Sequence, residues 1–449
     1  MRSRIRDYLQ QLAAPIPTAP LAAFRIAFGA LMLFSVVRFW ALGWIERQYI
    51  TPEFAFPFVP WAQSLGDPGM YYLFAAMGVA ALLILLGLFY RVAIVAFFLM
   101  FTYVELIDKT WYLNHYYFVS LVSFLLIWLP AHRQYSLDVL IWPRLLRREV
   151  PRWTITTLQA QLAIVYFFAG VAKVQPDWLL EALPLRIWLP AHTHLPLVGG
   201  LMDELWVAYV FSWFGCVYDL TIPFWLSWRK SRPWAYIAVV VFHVVTWVLF
   251  PIGIFPWVMI VATLIFFSPD WHLRNLEWVR EKLNVRKIKQ ELERVYRPAP
   301  MLRQILIVGG ILYFSLQLLL PMRYLVFPSD LFWKEEGYRF SWRVMLYEKA
   351  GTGFFYVTDP ETGRRWVADH TRLLTRPQQK QMSFQPDMIL QMAHHIRDEW
   401  RKKGIENPVV TAEFYVRMQE QPSRIFTVDS VNLSSKNDTF GRDFIVGYN

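Results

Sequence analysis

The chain of 449 residues is 56% hydrophobic and 18% aromatic with only 18% charged residues, a balance that excludes a disordered protein and exceeds the apolar content of ordinary soluble domains. Its 22 Trp and 35 Phe crowd into windows almost free of charge, which points to a bundle of bilayer-spanning helices rather than to the three or so soluble domains the length alone would suggest. The net charge of +11 would suit nucleic acid, but the Lys and Arg sit in loops between apolar runs, where they set topology, and the single cysteine, Cys216, excludes an intrachain disulfide and a Cys-based zinc cluster.

In chain order, residues 1–18 are basic and polar (Arg2, Arg4, Arg6) and end in the proline run Pro15, Pro17, Pro20. The long apolar segment that follows has no small-residue cleavage site, so it reads as a retained first span. Apolar windows bounded by charge and proline predict about nine spans: 21–41, 70–89, 92–107, 114–130, 156–173, 204–228, 233–250, 252–268 and 303–320. With the N-terminus inside, the inside loops hold Arg91; Arg133, Arg144, Arg147, Arg148 and Arg152; Arg229, Lys230 and Arg232; and the basic stretch 269–303. The outside loops hold Arg47, Lys109 and Arg186. That asymmetry predicts a cytoplasmic N-terminus and an extracytoplasmic C-terminal part. Within the basic stretch, residues 280–297 mix Glu, Lys and Arg with Leu283, Val285, Ile288 and Leu292, as an interfacial helix would.

After residue 320 the pattern changes. Alternation around Phe354 and Tyr356 and at 414–418, with the turn signal Asp359-Pro-Glu-Thr-Gly363, predicts hairpin strands, and Met388, Ile389, Met392, Ile396 and Trp400 have helical spacing. The expected architecture is a membrane all-α bundle, residues 1–320, with an extracytoplasmic α+β, β-rich domain, residues 321–449.

Ionisable groups in or beside spans are costly, which singles out His115, Lys173, Asp219 and His243. Each also has a structural reading. Lys173 ends a span, where lysines snorkel. His115 opens one beside Asn114, which could be a helix cap. Asp219 could pair with an arginine or with the Tyr218 hydroxyl, and His243 could be a neutral imidazole bonded to a carbonyl. Yet the topology places His115, Lys173 and His243 in one leaflet. An apolar site favours a neutral amine over an ammonium, and a neutral amine is a base. His192 with His194, and His394 with His395, lack a third ligand, so no metal site is expected. A phosphate-binding Gly-rich loop, a nucleophile elbow and an HExxH motif are all absent from the sequence.

The string Gln161-Leu-Ala-Ile-Val-Tyr-Phe-Phe-Ala-Gly-Val-Ala-Lys173-Val-Gln-Pro-Asp177-Trp178 resembles the vitamin K-dependent gamma-glutamyl carboxylase family, whose membrane part is of the HTTM type. Three further blocks agree in order: Asp108-Lys-Thr110 with Asn114-His115; Phe242-His243 with Leu249-Phe250-Pro-Ile252-Gly253-Ile-Phe255 and Ser268-Pro-Asp-Trp271; and Glu336-Gly337-Tyr338-Arg-Phe340-Ser341-Trp342-Arg-Val-Met345. The resemblance implies a membrane enzyme that uses vitamin K hydroquinone (reduced menaquinone or phylloquinone), O2 and CO2 to convert glutamyl residues of a protein or peptide to gamma-carboxyglutamate, forming vitamin K epoxide. A glutamate γ C–H is too weak an acid for any side chain. The resemblance therefore implies that a lysine amine deprotonates the hydroquinone and that the oxygenated cofactor supplies the strong base. Carried over by position, Lys173 matches the base and His115 its neighbouring histidine, while Asn114, His243 and Asp219 match cofactor-side positions.

The implied partners are the glutamate-containing substrate, the quinone and membrane lipid, with no nucleic acid, in a bacterial inner membrane or, in a eukaryote, the endoplasmic reticulum. Animal members often carry a second lysine where this chain has Ala172, an asparagine where it has Thr246, and a disulfide that one cysteine cannot form. The shorter C-terminal region suggests a compact, bacterial-type version. Two rival readings stay open at this stage: a quinol-dependent epoxidase that does not carboxylate, and a non-enzymatic binding or transport protein.

Overall fold

A computed structural model of the chain describes residues 2–285, 295–327, 330–437 and 442–448. The short helix α1 (Arg2–Ala13) and strand β1 (Pro15–Pro17) precede α2 (Ala19–Ala41), which has Pro20 in its first turn, where a missing N–H breaks no helical bond. Then come α3 (Gly66–Leu86), α4 (Tyr90–Ile107) and α5 (Asn114–Trp128). A loop holding α6 (Leu137–Ile141) and strand β2 (Glu149–Pro151) leads to α7 (Trp153–Lys173), and β2 pairs antiparallel with β1. The turns α8 (Pro176–Leu179) and α9 (Leu185–Trp188) connect α7 to α10 (Leu205–Ser227), which is followed by α11 (Arg232–Leu249), α12 (Phe255–Ala262), α13 (Pro269–Lys282) and α14 (Pro300–Leu319).

Among the described residues, seven helices (α2, α3, α4, α7, α10, α11 and α14) are long and apolar enough to cross a membrane. The other two expected spans are shorter. One is α5, and the other is α12 with the 3-10 turn that carries it to Phe266. At 1.5 Å per residue neither reaches the roughly 30 Å of a hydrocarbon core. The expected interfacial helix at 280–297 is not continuous. Residues 280–282 close α13, 283–284 form a turn, and 286–294 lie outside the described residues.

The bundle core is built from α2–α5, α7 and α10–α12. Helix α14 lies at its edge, with Gln317 its one buried residue. Hydrogen bonds hold it there: Tyr313 Oη donates to Gln161 Oε1 (2.8 Å), Gln161 Nε2 to Gln317 Oε1 (3.5 Å), and Gln317 Nε2 to Tyr117 Oη (3.4 Å). Interhelical hydrogen bonds of this kind contribute about 1 kcal/mol each in a membrane.

The C-terminal part opens with α15 (Leu331–Lys334) and folds into an antiparallel sheet of order β4-β3-β5-β6, formed by β3 (Lys349–Thr358), β4 (Arg365–Ala368), β5 (Val409–Met418) and β6 (Arg424–Ile425). The expected turn at 359–363 joins β3 to β4. Helices α16 (Arg376–Met382) and α17 (Pro386–Lys402) complete it, and α17 buries Met388, Ile389, Met392 and Ile396 against the alternating Val410, Ala412, Phe414 and Val416 of β5.

The two parts interlock. Phe56, from the loop between α2 and α3, is fully buried in the core of the C-terminal part, while Trp342 joins the core of the bundle and stacks on Tyr117 at 5.1 Å. At the junction Asp387, in the first turn of α17, accepts from the partly buried Arg339 (2.6 Å) and pairs with the buried Lys109 (2.9 Å). Beside it Gln378 donates to Asp108 (2.8 Å) and to the carbonyl of Phe54 (2.7 Å). Burial by itself would favour the neutral acid, but Arg339 and Lys109, with Arg442, hold the Asp387 carboxyl well below the usual carboxylate range.

Candidate active site

Helices α7 and α10 touch because Gly170 has no side chain. A Cβ there would lie 2.8 Å from the backbone N of Leu220. One turn further along α7 this contact brings Lys173 Nζ to 2.6 Å from Asp219 Oδ2, and Nζ also donates to the carbonyl of Ala169 (3.2 Å). Lys173 and Asp219 are 7% and 4% exposed, so the lysine is not a snorkelling anchor. The acid pairs with the lysine, not with an arginine or a tyrosine. The pair is neutral overall whichever partner holds the proton, which is why an apolar surrounding tolerates it.

Trp178 covers the amine, its ring centre 5.5 Å from Nζ. Its indole N–H donates to the carbonyl of Ser212 (2.8 Å), and the Ser212 hydroxyl donates back to the Trp178 carbonyl. Gly215 of α10 faces both groups, and a Cβ there would only touch them, 3.8 Å from the indole and 4.0 Å from Lys173 Cε.

Two turns before Lys173, on the same face of α7, Tyr166 Oη meets His243 Nε2 at 3.1 Å. Phe255 packs against both imidazoles, 5.5 Å from His243 and 5.6 Å from His115. Among the described residues, His115 Nε2 and His243 Nδ1 are buried without a hydrogen-bond partner. Asn114 is not a cap: α5 starts on it, and its side-chain amide donates across 229 residues to the carbonyl of Arg343 (2.8 Å).

Lys173, Asp219, His115, Asn114 and His243 all line one cavity of about 350 Å³. Apart from these polar groups its walls are apolar and largely aromatic, among them Phe118, Phe211, Phe242 and Met259. Trp178, Trp188 and Trp342 also line it, from the 174–204 loop and the 340–346 strap. Val210 and Phe214 of α10 and Val241 and Val245 of α11 line the cavity as well, yet are 54%, 53%, 54% and 37% exposed. The cavity therefore opens sideways between α10 and α11, apolar at its mouth and polar at its depth.

Two family models match the chain: the HTTM domain over residues 13–271 and the vitamin K-dependent gamma-carboxylase lumenal domain over residues 302–447. The chain belongs to the vitamin K-dependent gamma-carboxylase family. As such it is a multi-pass membrane protein. No solved structure matches it.

The cofactor that gives this family its name, vitamin K, joins a flat bicyclic ring bearing two oxygens to an apolar tail. The cavity suits such a group. Its volume lies within the usual range for small-ligand sites. Two buried imidazole nitrogens lack partners among the described residues, a lysine–aspartate pair stands among aromatic walls, and the side opening lies between two helices long and apolar enough to cross a membrane. Trp178, Tyr166 and Phe255 belong to this site as well; all three lie in the family-resembling blocks, but none of them has a role assigned from the sequence.

Proposed function

We propose that the chain uses vitamin K hydroquinone, O2 and CO2 to carboxylate glutamyl residues of a protein or peptide, with epoxide as the coupled product. The observation that carries this reading is the buried Lys173–Asp219 pair inside an apolar cavity that opens sideways between α10 and α11. Bound vitamin K hydroquinone supplies, with O2, a base strong enough for the glutamate γ C–H, which no side chain is.

The protein's own part follows from its residues. Lys173, as the amine, takes the hydroxyl proton, and Asp219 holds Nζ in place and shares the charge that arrives. His115 and His243, each with a free ring nitrogen, bind the cofactor oxygens, with Tyr166 fixing His243. Asn114 ties the 340–346 strap over the site through Arg343. The aromatic walls exclude water, which would otherwise quench the deprotonated glutamate. We further propose a nine-crossing membrane part, residues 1–320, in which α5 and α12 cross together with the residues that flank them, packed inside the bundle, with a cytoplasmic N-terminus and an extracytoplasmic domain, residues 321–449. In that topology the Lys173 end of α7 faces the outer leaflet.

The test is a paired assay on purified protein in nanodiscs with vitamin K hydroquinone, a glutamate-containing peptide and labelled bicarbonate, reading epoxide and fixed label separately. Both products are expected. Epoxide without label across several peptides would replace the carboxylase by a quinol epoxidase, and neither product would end the reading.

Two variants sharpen it. Asp219→Asn keeps an acceptor for Nζ but removes the group that shares the proton, so kcat for epoxide formation is expected to fall roughly 10²-fold with quinol affinity retained. An unchanged kcat would remove Asp219 from the mechanism. Val210→Trp or Val241→Trp should obstruct the side opening. KM for a long-tailed quinol is expected to rise about tenfold, some 1.4 kcal/mol, while KM for a tail-less quinol stays constant. Equal changes for both would show that the tail leaves by another route.

A further inference from the structure

Glu105 sits two residues before the end of α4, within an apolar helix, and the reading of the sequence passed over it. Among the described residues no cation lies within ion-pair distance of its carboxyl. An unpaired intramembrane carboxyl is costly and calls for a reason. It lines a second, small cavity of about 20 Å³, together with Ser35, Tyr49 and Tyr116. That volume holds one water, and the residues around it include a carboxylic acid and three hydroxyl-bearing side chains.

The small cavity adjoins the large one through two consecutive residues. His115 lines the active-site cavity, Tyr116 lines the Glu105 cavity, and their rings touch with centroids 4.4 Å apart. Tyr49 belongs to the turn Glu46–Ile50 in the loop between α2 and α3, and its carbonyl accepts from the Ser64 hydroxyl of that loop. The Glu105 cavity thus lies between the active site and a surface loop that the proposed topology puts outside.

The reaction needs such a neighbour. Quinol, O2, a glutamyl C–H and CO2 give epoxide, water, a new carboxylate and one proton. The quinol contributes two hydrogens and the C–H one, and two of the three leave in water. The third reaches Lys173 in a cavity with apolar walls and a mouth toward lipid, where no bulk water can take it.

We infer that Glu105, with Tyr116, Tyr49 and the water they can hold, receives this proton by way of His115 and passes it to the aqueous phase beyond the 42–65 loop. The inference rests on the reading of Lys173 as the base. In each turnover the Glu105 carboxyl, protonated at rest, releases its proton to solvent and takes the next from the Lys173–Asp219 pair, and no other bond changes. A Glu105→Gln side chain fills the same space and cannot accept a proton.

The experiment compares wild type, Glu105→Gln and Glu105→Asp in nanodiscs. Proton export follows product formation, so the first turnover of epoxide should proceed at the wild-type rate in Glu105→Gln, while steady-state kcat falls about tenfold or more at unchanged quinol KM. Added imidazole, a diffusible proton acceptor, should restore it, and Glu105→Asp should retain most of it. A second readout needs no turnover: infrared spectra should show a carboxyl C=O band that shifts in D2O and is missing from Glu105→Gln. Unchanged steady-state kcat, a first turnover slowed as much as later ones, or no D2O-sensitive band assignable to Glu105 would each overturn the inference. If wild type forms neither product, the carboxylase reading fails by itself, and the infrared band then decides whether Glu105 exchanges protons with water.

Discussion

Lys173→Ala is expected to abolish epoxide formation and carboxylation together, each by about 10³-fold or more, because removal of the amine leaves the hydroquinone proton with no acceptor. The variant also leaves Asp219 buried without its partner, and breaking a buried ion pair costs about 3–5 kcal/mol. Loss of activity alone could therefore reflect a damaged cavity. The control is Lys173→Met combined with Asp219→Leu, which removes both charges and fills the space. It should recover thermal stability measured in detergent and recover no activity. Full epoxide formation by Lys173→Ala would refute the role given to the lysine. Lysine-dependent epoxide without fixed label would leave Lys173 as base in a quinol epoxidase.

The second large effect is expected at the junction. Asp387→Ala leaves the buried Lys109 and the partly buried Arg339 facing one another without their counter-ion, at a cost of about 3–5 kcal/mol, enough to release the C-terminal part from the bundle. Limited proteolysis should then cut between residues 320 and 349, and activity should vanish because the 340–346 strap no longer covers the cavity. The wild-type contact has a defined pH dependence. The Asp387 pKa is depressed on folding, so its stabilisation is fully present above the unfolded carboxylate value, about 3.9, and is lost as pH falls below that toward the folded value. Docking is expected to hold from neutral pH to about pH 5 and to weaken in stronger acid. Proteolytic sensitivity measured across that range checks both points, and an Asp387→Ala chain that resists cleavage would place the main attachment elsewhere. The interlocked Phe56 and Trp342 would then be the place to look.

In a chain whose one cysteine, Cys216, is free, this junction is ionic. A pair of cations around one carboxylate depends on geometry rather than on redox state, and none of its three residues announces that role. Lys109 reads as an ordinary loop charge, Arg339 as part of a family block, and Asp387 as a favourable acid in a helix's first turn.

The sequence by itself determined the apolar spans, the basic loops, the sheet-forming tail and the family. A bilayer imposes these one segment at a time: a span needs about twenty apolar residues to satisfy its own backbone, and a strand pair needs alternation and a turn. His115, Lys173, Asp219 and His243 were visible for the same local reason, since a charge or imidazole in such a span is conspicuous.

What only the tertiary structure decided was which of these groups meet. Lys173 and Asp219 stand 46 residues apart and join because Gly170 lets α7 and α10 close together. Asn114, readable as a cap, instead reaches Arg343, and Phe56, readable as loop, fills the core of the C-terminal part. Glu105 escaped notice because near the end of a span a carboxyl looks like a boundary, until packing shows it lining a small cavity with Tyr49 and Tyr116. Helical periodicity fixes the face a residue occupies on its own helix, whereas the partner across that face depends on the packing of helices distant in the chain.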